Sequence, residues 1–151
     1  MKSIKNFINE AYWDEYDDFE MKEAITKWIK QQYMSSEGDL TLIKDKDGKY
    51  IVDVSEDLVA RPGLETITNG MFEFGNCEGN VILSNTLIKS LEGSPQIVEY
   101  TFDCSGCKKL KKLNNGPKLI KGDFKCNGCG GRFHPKDVVM AKIDVKGNTL
   151  T

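Results

Sequence analysis

One histidine, His134, serves the whole chain of 151 residues, and no apolar stretch approaches the roughly 18 residues that a membrane helix needs. Each scarcity excludes something. A lone imidazole in a sequence without G-x-S-x-G, a phosphate loop or paired carboxylates in a polar cleft pattern leaves no catalytic constellation. No enzyme is expected, and His134, followed by Pro135, reads as a surface or capping residue. The N-terminus lacks the apolar core of a secretory signal, so a cytosolic start and no membrane partner are expected. Five cysteines are an odd number, which in a reducing compartment means thiols or metal ligands rather than a disulfide framework.

What is present describes a soluble globular domain: 39% hydrophobic and 29% charged residues, with a net charge of −2. That small net charge conceals a polarity. Tyr12, Trp13, Asp14, Glu15, Tyr16, Asp17, Asp18, Phe19 and Glu20 hold five acids and no base, interleaved with aromatics. Lys108, Lys109, Lys111, Lys112, Lys118, Lys121 and Lys125 face one acid, Asp123. Both strips are solvated faces in the plain reading; in the functional one they dock on an oppositely charged protein.

Local periodicities divide the chain into residues 1–11, 12–38 and 39–151. Ile4, Phe7, Ile8 and Ala11 fit one face of a first helix. A second is expected over 19–34, capped by Asp17 with Glu20 at the capping-box position, burying Met21, Ala24, Ile25, Trp28, Ile29 and Tyr33. From residue 40 the period becomes two, and Asp47-Gly48 between Leu40, Leu42 and Tyr50, Val52, Val54 predicts a β-hairpin.

The dominant signal is a repeat. Val81-Ile-Leu83-Ser-Asn85-Thr86 is followed by Ile88, Leu91, Pro95 and Val98; Phe102-Asp-Cys104-Ser-Gly106-Cys107 by Leu110, Leu113, Pro117 and Ile120; and a third copy begins Phe124-Lys-Cys126-Asn-Gly128-Cys129. Strand starts lie 21 and then 22 residues apart. A degenerate copy at Val52-Asp-Val54-Ser55, passing Leu58 and Pro62, is expected before them. This is the leucine-rich-repeat pattern, in which turns stack because none can bury its apolar face alone. The predicted fold is α+β: a short leucine-rich-repeat-like β-solenoid over about 49–145, capped by N-terminal helices and a β-hairpin, with its strands in one parallel ribbon. A tail from Phe133 to Leu150, with a last strand near Ile143-Asp144-Val145, closes the far end. Gly79, Gly93, Gly116 and Gly122 serve turns.

Cys104-x2-Cys107 and Cys126-x2-Cys129, separated by 18 residues, fit the spacing of a structural zinc site. The repeat offers another reading. The preceding copy has Leu83 and Thr86 at these positions, so stacking would set Cys104 beside Cys126 and Cys107 beside Cys129, in two rows too far apart for one tetrahedron. Stacked thiols and no cofactor are the favoured reading; zinc on Cys104, Cys107, Cys126 and Cys129 is the alternative. Cys77 reads as a small buried residue.

Met1-Lys2-Ser3, then Phe7-Ile8-x-Glu10-Ala11, resembles the capsid-targeting peptide of internal head proteins of T-even-like bacteriophages, which reads Met-Lys-Thr and Phe-Ile-x-Glu-Ala. The departures are Ser3 and the variable Ile4, Lys5 and Asn6. The repeat, with Leu91-Glu92-Gly93-Ser94-Pro95, resembles leucine-rich-repeat-like proteins of large tailed phages. The first resemblance implies binding to the phage scaffold, packaging inside the virion, maturation cleavage between Glu10 and Ala11, and delivery with the DNA to the host cytoplasm. It implies an accessory protein that binds a host protein, neutralising a defence factor such as a restriction enzyme or a toxin. The expected interaction surface is the solenoid ribbon, with the acidic-aromatic segment 12–20 as a second, and the protein-binding candidates are residues 12–18 and Lys108, Lys109, Lys111 and Lys112. The rival readings are a zinc-stabilised nucleic-acid-binding module that uses the lysines on phosphates, and a structural virion component.

Overall fold

The computed structural model describes residues 17–35 and 37–151. Asp17 opens helix α1 (Asp18–Gln32), its carboxylate accepting the Glu20 N–H at 2.7 Å. The apolar spacing buries Met21, Ile25 and Ile29. The helix stops two residues short of the expected end because Tyr33 turns extended and bridges Ala60, while its hydroxyl donates to the Ile67 carbonyl at 2.7 Å. A single 3₁₀ turn (Glu37–Asp39) leads into the hairpin β1 (Leu40–Lys44) and β2 (Tyr50–Val54), which turns at Gly48 with φ 81°.

From there the chain coils. β3 (Leu58–Val59), β5 (Val81–Ile82), β7 (Phe102–Asp103), β9 (Phe124–Lys125) and β11 (Thr149–Leu150) form one parallel sheet. β4 (Phe72–Cys77), β6 (Ile97–Val98), β8 (Leu119–Ile120) and β10 (Asp144–Val145) extend the hairpin into a second. The molecule is a β-solenoid capped by α1 and the hairpin. The single ribbon expected from the repeat is corrected to two: Val98 and Ile120, after each proline, are themselves strand residues. The degenerate copy is also re-registered. Leu58, not Val52, aligns with Val81, since Val52 pairs with Phe74 in the other sheet.

Two inward columns make the core. Leu58, Val81, Phe102 and Phe124 stack in the first, with the two phenylalanine rings 5.7 Å apart, edge to face. Val54, Cys77, Val98 and Ile120 stack in the second, which gives Cys77 its place. At the near end Trp28 of α1 meets Phe72 at 5.8 Å and Tyr33 meets Phe74 at 5.8 Å. At the far end helix α2 (Pro135–Met140) buries Val138. His134 caps it from outside, its backbone N–H donating to Asp137 at 2.8 Å. Among the described residues no helix is long and apolar enough to cross a membrane.

The corner between the two sheets takes three residues per turn, and its N–H groups bond to side chains one turn away: Asn80 to Asp57 at 2.7 Å, Thr101 to Asn80 at 2.9 Å, Asn148 to Asp123 at 2.8 Å. These are backbone donors that two-residue strands leave unpaired. Gly122 sits there because a Cβ would lie 2.5 Å from the Tyr100 carbonyl oxygen of the turn before. Gly122→Ala is therefore expected to destabilise by roughly 1–3 kcal/mol in urea unfolding. Gly63→Ala, with nothing within 4 Å of the added carbon, is the matched control and should cost far less.

Candidate binding groove and thiol cluster

The long arm of each turn, from the first sheet back to the second, carries no strand. These arms line three adjoining hollows of 1090, 700 and 530 Å³ that run along the solenoid axis. The first and second share Lys89, Ser90, Lys109 and Asn115; the second and third share Lys111, Lys112, Asn114 and Asn115. Together they form one groove.

Its charge is uneven. Among the described residues the middle hollow is lined by Lys89, Lys108, Lys109, Lys111 and Lys112 with Ser90, Asn114 and Asn115, and by no carboxylate. All five lysines are exposed. None has an ion-pair partner among the described residues, although Lys108 Nζ donates to the Gly128 carbonyl at 2.8 Å. The first hollow mixes Glu65, Glu73 and Glu92 with Lys89, Lys109 and Lys118. The charge concentrates because Leu110 and Leu113 point inward while the lysines beside them must point out.

Lys108, Lys109, Lys111 and Lys112, singled out in the sequence, thus lie together in one concave surface. Lys121 and Lys125 do not join them: Lys121 sits at a corner and pairs with Glu99 at 3.0 Å, and Lys125 is in β9. Lys89 was missed. Its signal was the repeat itself, since Lys89 and Lys111 hold the same place 22 residues apart. Of the acidic candidates, Asp17 is the helix cap, and Asp18 pairs with Lys22 at 3.2 Å and accepts the Tyr50 hydroxyl at 2.7 Å. That hydroxyl, followed by Lys22, holds the Asp18 carboxyl below its ordinary value. Tyr12, Trp13, Asp14, Glu15 and Tyr16, the cleavage pair Glu10 and Ala11, and the first predicted helix lie outside the described residues.

The cysteines are free thiols with buried side chains. Cys107 Sγ donates to the Leu83 carbonyl at 3.1 Å and Cys129 Sγ to the Cys104 carbonyl at 3.1 Å, each reaching back one turn. Thr86, at the same repeat position, bonds Leu83 within its own turn at 2.8 Å. Cys104 and Cys126 follow directly on the paired strand residues Asp103 and Lys125. Left-handed residues at Asn85, Gly106 and Gly128 turn the chain between the two repeat positions of each copy. The neighbouring Cys104 thiol holds Cys129 below its ordinary value, and Cys129 together with burial raises Cys104. Burial pushes Cys126 up to about 12 and Cys77 up to about 11. Among the described residues no group of three or more Cys, His, Asp or Glu is arranged to hold a metal ion.

Cys107→Ala removes a buried sulfur and its bond to Leu83, and is expected to lower stability by about 1–2 kcal/mol in urea unfolding. An unchanged midpoint would show that this sulfur contributes nothing to the stack. Comparison with family models, curated proteins and solved structures finds no match to this chain.

Proposed function

We propose that this chain is a phage accessory protein that binds a host protein through the lysine-lined groove. It is packaged in the head, delivered with the DNA, and neutralises a bacterial defence factor, a restriction enzyme or a toxin. It is not an enzyme and takes no cofactor. One observation carries the binding reading: five exposed lysines converge on a concave surface to which no carboxylate among the described residues contributes. Clustered charge of one sign steers a partner of opposite sign and fixes its register, and a groove crossing several turns gives the length that protein recognition needs. The packaging part rests on the resemblance of Met1–Ala11 to capsid-targeting peptides.

A second reading draws on the same lysines: contact with the phosphate backbone of a nucleic acid. Among the described residues the middle hollow offers neither an arginine fork nor an aromatic face for a base, so binding by them would be indifferent to sequence.

Two measurements test the proposal. The triple variant Lys109→Glu, Lys111→Glu, Lys112→Glu should keep its unfolding midpoint while losing on the order of a hundredfold in affinity for the host protein captured by the form starting at Ala11. Capture of nucleic acid alone, with a steep salt dependence, would select the second reading. The mass of the protein from purified virions should begin at Ala11; full-length chain, or no chain, defeats the packaging claim.

A further inference from the structure

The far end of the solenoid presents two open strands. β10 has β8 on one side and β11 has β9, and among the described residues neither has a strand on the other. Helix α2 buries Val138 at this end but adds no strand to either sheet. In β10 the ladder is well defined. The Asp144 N–H donates to the Lys118 carbonyl at 3.0 Å and the Lys146 N–H to the Ile120 carbonyl at 2.9 Å, so both face the stack. By the alternation of a strand, the N–H and C=O of Val145 between them point away from the stack, along the open edge. The second inward column stops at the same residue. Val54, Cys77, Val98 and Ile120 are buried, whereas Val145, next in register after Ile120, is only half-buried.

The charges on this edge are self-complementary. Asp144 and Lys146 flank Val145 on the opposite face of the strand, both exposed, and pair with each other at 3.0 Å. A strand laid antiparallel along the edge, with valine opposite valine, meets Asp144 with the place of Lys146 and Lys146 with the place of Asp144. Opposite charges then face each other twice under a twofold axis, which is what an interface between identical surfaces requires.

We infer that two copies of this chain associate end to end, β10 against β10, about a twofold axis at Val145. The two valines exchange both N–H···O bonds, and each covers the column that the other leaves open. Asp144 of each copy gains Lys146 of the second copy, in the non-hydrogen-bonded pairs where cross-strand side chains come closest. The same axis turns α2 of each copy, with Val139 exposed, toward β11 of the other, where Leu150 is exposed. A contact of this size dissociates on dilution. It uses none of the groove lysines and stands apart from the function proposed above.

The test measures the mass of the full chain by sedimentation equilibrium at rising concentration. The wild type should climb from 17.0 kDa toward twice that mass. Asp144→Lys sets lysine against Lys146, and Lys146→Asp sets Asp144 against aspartate. Each variant should keep its fold, since both positions are exposed, and stay monomeric where the wild type is dimeric. Mixed together, the two variants restore both opposite pairs and should recover a dimer containing one of each. The triple variant Lys109→Glu, Lys111→Glu, Lys112→Glu should dimerise as the wild type does, which separates this end from the groove. The wild-type mass decides first, even where a variant fails to fold. A wild type that stays monomeric throughout, single variants that dimerise unchanged, a mixture of folded variants that stays monomeric, or a groove variant that loses the dimer would each overturn the inference.

Discussion

Stacking one turn on the next is the constraint from which the rest of this molecule follows. A turn with strands of two residues can bury nothing by itself, so Val81, Phe102 and Phe124 have an interior only because each covers its neighbour. Burying such a side chain is favourable by roughly 2–3 kcal/mol, and each column repeats that gain at every turn. The same stacking dictates the corners. Backbones that approach this closely leave no room for a Cβ at Gly122, and the N–H groups that the short strands leave over bond to Asp57, Asn80 and Asp123. The two ends need other devices. α1 with the hairpin covers one, its Trp28 and Tyr33 rings meeting Phe72 and Phe74; α2 and Val138 lie at the other.

The cysteines belong to this stacking before they belong to any chemistry. Cys104 and Cys126 fill the core place that Leu83 takes one copy earlier, while Cys107 and Cys129 bond carbonyls of the preceding turn where Thr86 bonds one in its own.

The groove arises in the same manner from the irregular arms. Apolar residues on each arm must turn inward to close the core, and the residues between them must turn out. Where the third arm spends those outward positions on lysine, the charges converge with Lys89 from the arm before it. The fold supplies concavity and spacing, and the side chains supply the sign.

Periodicity alone determined a good deal. The 21- and 22-residue offsets gave the solenoid, the alternation after residue 40 gave the hairpin, and Asp17 marked the start of its helix, because each of these is a local pattern or a repeat of one. Which residues meet across turns was decided only in three dimensions. The second sheet, the true register of the first copy at Leu58, the bond from Cys129 to the Cys104 carbonyl and the inclusion of Lys89 in the groove all depend on how far each arm travels before its next strand. An arm's path is set by left-handed residues such as Gly106 and Gly128 acting together with what lies beneath them, and no spacing in the sequence encodes that distance.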